Sequence, residues 1–147
     1  MSCRSKIAIL LLLPVLLPLA CREPSGISKV TQAIDGDTIA IEGGYHVRYI
    51  GIDAPEKGEF HYLESEQANR KLVEGRMVRL EKDISEKDRY GRLLRYVYID
   101  GTFVNAELVR QGYARAKAYP PDAKYQVYLE AIEKEARHMK RGIWRQK

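Results

Sequence analysis

Five short β-branched runs, Asp-Gly and Gly-Gly turns between them and helical patterns at their margins predict an α+β chain. The expected architecture is a five-stranded Greek-key β-barrel of the OB type with about three helices. Residues 27–34 form the first strand, and Asp35-Gly36 is a strong turn signal. Residues 38–42 form the second, closed by Gly43-Gly44. Residues 45–52 form the third. It stops before Ala54-Pro55, because proline restricts its predecessor and lacks an amide donor.

The period then changes. Over residues 61–74, Leu63, Ala68, Leu72 and Val73 make a partial apolar stripe, so a helix is expected there, closed by Gly75. Residues 77–82 and 93–99 are the fourth and fifth strands, all five expected to pair antiparallel, and Asp100-Gly101 is a hairpin turn. Asn105 is expected to cap a short helix that ends at Gly112. After the break at Pro120-Pro121, residues Tyr125, Tyr128, Leu129, Ile132, Ala136 and Met139 share one face of a final helix. Its other face carries Glu130 with Lys134 and Glu133 with Arg137, ordinary solvated pairs.

The N-terminus is a targeting segment and stands apart from the fold. Arg4 and Lys6 precede an uncharged, Leu-rich run over residues 7–20. At fourteen residues this is short of the ~20 a membrane span requires. It fits a secretory signal that ends at Ala20, with Cys21 directly after it. Residues 17–21 resemble a bacterial lipoprotein signal, in which the cysteine becomes the lipidated first residue, although Pro18 stands where that pattern has Leu. The expected organisation is a signal peptide over 1–20, a tether over 21–26 that starts at a lipidated Cys21, and one domain over 27–147. Loss of Cys3 with the leader leaves one cysteine, so no internal disulfide forms and the core alone stabilises the domain. Removing Arg4 and Lys6 from 25 basic side chains leaves 23 against 20 acidic, near +3. That mild excess permits a polyanionic partner without demanding one.

Acids and arginines are gathered in three segments: 35–38 (Asp-Gly-Asp-Thr), 48–56 (Arg-Tyr-Ile-Gly-Ile-Asp-Ala-Pro-Glu) and 88–92 (Asp-Arg-Tyr-Gly-Arg). Paired carboxylates suit a hard divalent cation, which takes oxygen ligands. Paired arginines suit a phosphate, because the planar guanidinium donates two parallel hydrogen bonds. A further carboxylate, Glu56, suits a water to be oriented or deprotonated. Metal, phosphate clamp and base together describe phosphodiester hydrolysis. Each element has a plainer reading: an isolated Asp-Gly-Asp is a hairpin turn, an isolated Arg48 a surface cation, and segment 88–92 a solvated charged turn.

With residues 105–112 and Gly142-Ile143-Trp144 added, the order and spacing of these segments resemble the thermonuclease family of staphylococcal-nuclease-like domains, from about residue 27 to 144. The resemblance implies an OB-fold barrel and a calcium-dependent endonuclease acting on DNA and RNA, with 3′-phosphate products. It implies calcium held by Asp37, Asp53 and the backbone carbonyl of Thr38. It places Arg48 and Arg92 on the scissile phosphate and makes Glu56 the residue that orients or deprotonates water. It sets Tyr90 at the border of the phosphate pocket and Tyr119 under a base. Asp35 is read as a turn residue, Arg89 as a solvated cation and Glu66 as part of a structural ion network. Segment 57–63, which contacts nucleic acid in relatives, is shorter here. The rival reading is a non-catalytic nucleic-acid-binding barrel. A calcium-stabilised adhesion module would leave the two arginines without a task. The expected protein is an exported monomer with no protein partner, held in the periplasm or at the cell surface by its lipid anchor. Arg22 after Cys21 is not the Asp that retains enterobacterial lipoproteins at the inner membrane.

Overall fold

The computed structural model describes residues 26–145. The leader, the tether and Cys21 lie outside the described residues. Five strands close into a barrel: β1 (Gly26–Ala33), β2 (Thr38–Ile41), β3 (Tyr45–Tyr49), β5 (Met77–Glu81) and β6 (Leu93–Ile99). The first four neighbour contacts run β3-β2-β1-β5-β6, and a β3–β6 pairing closes the ring. That closing pair is parallel, with Val47 beside Leu93 and Tyr49 beside Arg95, so the barrel is mixed and not wholly antiparallel as expected. A strand that returns to its own barrel edge after a helix and a hairpin arrives with its direction set by the crossover, which turn chemistry alone does not report.

Strand β1 serves two neighbours. Gly26 to Lys29 pair with β5, and Val30 to Ala33 pair with β2, with a bulge between Val30 and Gln32. The extra residue increases the local twist and bends the sheet round on itself. Side chains of Val30, Ile39, Ile41, Val47, Leu93 and Val97 fill the interior, each at most 1 % exposed. β6 is paired on both sides and is buried along nearly its whole length.

Three helices pack around the barrel: α1 (Tyr62–Val73), α2 (Val104–Arg110) and α3 (Gln126–His138). None of them is long and apolar enough to cross a membrane. On α3, Leu129, Ile132 and Ala136 are buried, while Tyr128 and Met139 at the margins of the expected face are about half exposed. Asn105 is not the cap of α2. The helix begins at Val104 after Phe103, and the Asn105 side chain is fully buried. It accepts from the Val97 amide at 3.0 Å and donates to the Ile50 carbonyl at 2.8 Å, so it ties β6 to the residue after β3 inside the core.

The third strand is also shorter than expected. It stops at Tyr49, and β4 (Ile52–Asp53) starts a new direction after Gly51. Gly51 has φ +80°, and any Cβ there would lie 2.6 Å from Leu129, so the kink needs glycine for both backbone and space. β4 pairs with β8 (Arg115–Ala116), and β7 (Thr102–Phe103) forms the hairpin with β6. Two-residue strands have too few positions to show an alternation, so neither β7 nor β8 was visible as a pattern.

Candidate active site

The β1–β2 turn builds the first wall of the site. Asp35 Oδ1 accepts from the Asp37 amide at 2.9 Å, which makes Asp35 the turn residue expected. Gly36 sits so close to Ala54 and Ser65 that an added Cβ would meet them at 2.6 and 2.9 Å. That approach brings Asp37 against the next wall, where its Oδ2 accepts from the Ala54 amide at 2.6 Å. Asp37 is buried. Burial pushes its carboxyl up to about 7, with the Arg48 guanidinium pulling the other way and the Asp35 charge adding to the rise.

Thr38 does not offer its carbonyl to the site. That oxygen accepts from the Ile34 amide at 2.9 Å and from the Asp35 amide at 3.3 Å, which occupies both lone pairs. The Thr38 hydroxyl instead donates to Asp37 Oδ1 at 3.2 Å and fixes that carboxylate. The assignment of Thr38 as a metal-holding residue is corrected accordingly to a positioning residue for Asp37.

Arg48 is the centre of the arrangement. It stands on β3 opposite Thr38 and is only 8 % exposed. Nη1 donates to the Tyr49 and Ile52 carbonyls, both at 2.9 Å, across the kink at Gly51. Nη2 lies 3.1 Å from Asp37 Oδ2 and 3.0 Å from Asp53 Oδ1. The two acids thus face one another across a single nitrogen. Asp53 is also bound by Lys117 Nζ at 3.0 Å, and the Tyr119 hydroxyl stands 3.4 Å from both Asp53 and Arg48. The bond to Asp53 holds the Lys117 ammonium above its usual range, so it stays charged.

The opposite wall is the 88–92 turn. Asp88 Oδ2 accepts from Arg92 Nε at 2.7 Å, and its Oδ1 accepts from the Tyr90 and Arg92 amides. Burial would raise the Asp88 carboxyl, but these bonds outweigh it and hold it below its usual value. With Nε committed, the two terminal nitrogens of Arg92 carry no hydrogen bond among the described residues and are left for a ligand. Tyr90, 68 % exposed, lies between the Arg89 and Arg92 guanidiniums at 4.9 and 5.4 Å from its ring centre. Buried Asp122 ties this wall to the segment after β8 by accepting from the Ile84 and Ser85 amides.

These residues line one cleft of about 560 Å³, which holds Asp37, Arg48, Asp53, Glu56, Tyr90, Arg92 and Tyr119 together. Every acid in its wall except Glu56 has a partner: Asp35, Asp37, Asp53, Asp88 and Asp122 all accept hydrogen bonds. Glu56 is exposed. Its backbone is pinned in a turn with Glu59, yet its carboxylate meets no donor among the described residues. Glu66 pairs with Arg70 one turn along α1, outside the cleft. Among the described residues no three acidic, His or Cys side chains gather as a metal cage. A cation at Asp37 and Asp53 would therefore keep most of its positions for backbone, water and substrate, which is the open form a catalytic metal needs.

Sequence reasoning missed Lys117 and Asp122, and it named Asp88 within segment 88–92 without a role. Lys117 meets Asp53 across 64 positions, and Asp122 meets Ile84 across 38. Only Asp88 carried a local signal, its place four residues before Arg92, and outside a helix that spacing has no geometric meaning.

Comparison with known proteins gives this cleft relatives. Residues 46–146 match the family model described as staphylococcal nuclease homologue. The thermonuclease of Staphylococcus hyicus is 38 % identical over 125 residues, 79 % of this chain and 74 % of that protein. Endonuclease YncB of Bacillus subtilis (strain 168) is 39 % identical over 124 residues, 77 % of this chain and 59 % of its own length. An uncharacterized endonuclease of Escherichia coli O157:H7 is 36 % identical over 132 residues, 86 % of this chain and 81 % of that one. With its mixed five-stranded barrel, its acid pair and its two arginines in one cleft, the chain belongs to the staphylococcal nuclease family and is a nuclease.

Proposed function

We propose that the chain is a calcium-dependent endonuclease that hydrolyses phosphodiester bonds in both DNA and RNA and leaves 3′-phosphate ends. The observation that supports this best is the single Arg48 nitrogen facing Asp37 and Asp53, in a cleft where Glu56 is the one carboxylate without a partner among the described residues. The donor set fits a hard divalent cation: two carboxylates that face one another across a single Arg48 nitrogen, one of them buried. Asp37 and Asp53 would hold calcium, which would supply Lewis-acid polarisation of a phosphoryl oxygen.

The chain's own side chains do the rest. Glu56 takes a proton from the attacking water or orients it toward phosphorus. The free end of Arg92 donates to the equatorial oxygens, where negative charge gathers in the transition state, and Arg48 joins it by exchanging its Nη2 bonds to Asp37 and Asp53 for the phosphate. Asp88 keeps Arg92 in place for this, and Lys117 adds positive charge beside Asp53. The bond to the 5′ oxygen breaks, which leaves the phosphate on the 3′ side. Tyr119 and Tyr90 border the substrate on the two walls.

The experiment is to incubate the leaderless domain with plasmid DNA and with RNA, with calcium and then with chelator. Cleavage of both that stops on chelation, with 3′-phosphate ends, is expected. Cleavage without a divalent ion removes calcium from the reading, and binding without cleavage under every metal restores the non-catalytic barrel. We further propose that the leader over residues 1–20 exports the protein and that Cys21 is lipidated, on the signal pattern alone.

A further inference from the structure

The most deeply buried charged side chain among the described residues plays no part in the proposed chemistry. Arg95 is 1 % exposed. On β6 it alternates with Leu93 and Val97, both fully buried, so its stem runs with theirs into the barrel interior. Its main chain and its side chain serve different walls of the cleft. The Arg95 carbonyl accepts from the Ile50 amide at 3.0 Å, and in the parallel β3–β6 pair Arg95 lies beside Tyr49, one position on from Arg48 beside Leu94. That is the wall of Arg48. The guanidinium turns to the other wall. Nη1 donates to the Leu94 carbonyl at 2.8 Å and to the Glu86 carbonyl at 3.2 Å, and Nη2 pairs with the Glu86 carboxylate.

Glu86 is the foot of the hairpin that carries Arg92. Its carbonyl also accepts from the Leu94 amide at 3.0 Å, Lys87 bridges Leu93, and the Asp88 amide donates to the Arg92 carbonyl at 3.0 Å. Lys82 Nζ meets the Glu86 carboxylate at 2.9 Å, and Lys82 and Arg95 together hold that carboxyl below its usual range. A shift at Glu86 is passed up this short ladder to Asp88 and Arg92.

Stability does not account for this pair. Taking a guanidinium out of water can cost more than one ion pair returns, and an apolar side chain of similar volume in its place is often neutral or stabilising. The Arg95 Nε is buried and meets no acceptor among the described residues, which adds to the cost. What the pair supplies is geometry. The rigid fork of the guanidinium fixes the main-chain and side-chain oxygens of Glu86 at once, which an apolar side chain does not do. We propose that Arg95 is a positioning residue: from inside the barrel it sets the distance between the Arg48 wall and the Arg92 hairpin, and thereby the place where Arg92 meets the phosphate. The proposal rests on the reading of Arg92 as a phosphate ligand.

The test is Arg95→Met, made in wild type and in Arg92→Ala, with kinetics on plasmid DNA and thermal midpoints. Alone, Arg95→Met should lower kcat roughly twofold to a hundredfold, the range of coupling within one hydrogen-bond network, with a thermal midpoint at or above that of wild type. In Arg92→Ala it should lower kcat no further, because the residue it positions is gone. Glu86→Gln keeps the size and an acceptor for Arg95 at a half-exposed site, so folding is retained even where Arg95→Met does not fold. It should give a smaller loss with the same dependence on Arg92. A loss of equal size with and without Arg92, or no loss in either variant, overturns the proposal. Hydrogen exchange separates it from the reading of Arg92. If Arg92→Ala retains the wild-type rate, that reading fails and the Asp88 amide decides alone. Faster exchange there in Arg95→Met keeps Arg95 as the residue that positions the hairpin, and unchanged exchange removes it.

Discussion

Asp88 grips Arg92 at two points, with Oδ2 on the side-chain Nε at 2.7 Å and Oδ1 on the main-chain amide at 3.0 Å. The loop that carries the arginine and the arginine's own orientation are thus set by one carboxylate. Asp88→Ala frees both. A displacement of ~1 Å in a positioning group costs on the order of a hundredfold in rate, so kcat should fall by about that much while KM changes little. Kinetics on plasmid DNA check this, and an unchanged kcat would show that Arg92 holds its place without Asp88.

Arg48→Lys and Arg92→Lys both keep the charge and lose the fork. Each should lower kcat by about a hundredfold to a thousandfold, the usual loss for one transition-state donor. Stability separates them. Arg48 is buried and feeds the Tyr49 and Ile52 carbonyls, and a buried acceptor left without a donor costs ~1–3 kcal/mol. Arg48→Lys should lower the urea midpoint and Arg92→Lys should not. Equal midpoints would mean that lysine reaches those carbonyls.

The Asp37 carboxyl gives a pH dependence whose sign is fixed. Burial raises it to about 7 in the metal-free protein, while an unfolded aspartate titrates near ~3.9. The folded state binds this proton more tightly, so its contribution to stability is present below ~3.9 and is lost as pH rises through about 7. In chelator, wild type should lose stability over that window relative to Asp37→Asn, which cannot ionise. Calcium takes the carboxylate form, so the stabilisation it confers should grow over the same window. Urea midpoints of both proteins against pH are the measurement, and a gap that stays constant with pH would contradict it.

The C-terminal segment is held by two glycines in contact. Ile143 donates to the Gly112 carbonyl at 2.8 Å, and a Cβ on Gly142 would lie 2.1 Å from that same oxygen. Gly142→Ala should therefore destabilise the domain by about 1–3 kcal/mol or more, as overpacking against backbone does. Denaturant unfolding reads this directly; a neutral result would show that the turn shifts freely off α2.

Lipidation at Cys21 has its own test. Wild-type protein should sediment with membranes and incorporate labelled palmitate, and Cys21→Ser should do neither, since several acyl chains hold far more firmly than one. Soluble mature protein with an unmodified thiol at Cys21 would make the chain a freely secreted one.

Much of the molecule follows from the chain read alone. Alternation and Asp-Gly or Gly-Gly turns placed all five barrel strands, and apolar stripes placed α1 and α3, because a strand or helix buries one face at its own period. Three short segments of sequence supply Asp37, Arg48, Asp53, Glu56, Tyr90 and Arg92 to the cleft, since the chemistry of carboxylates and guanidiniums resides in the side chains themselves, while Lys117, Tyr119 and Asp122 come from elsewhere in the chain. Other relationships belong to the tertiary structure. Val47 meets Leu93 in parallel, Lys117 meets Asp53, and Asn105 leaves its expected cap to satisfy Val97 and Ile50. The Thr38 carbonyl is consumed by its own turn. Arg48 faces two acids because Gly51 breaks the third strand and swings Asp53 back beside it. Local periodicity records which face of an element is buried. Which distant groups meet across that burial is decided by barrel closure and by the need to pair every buried polar group, and neither has a period along the chain.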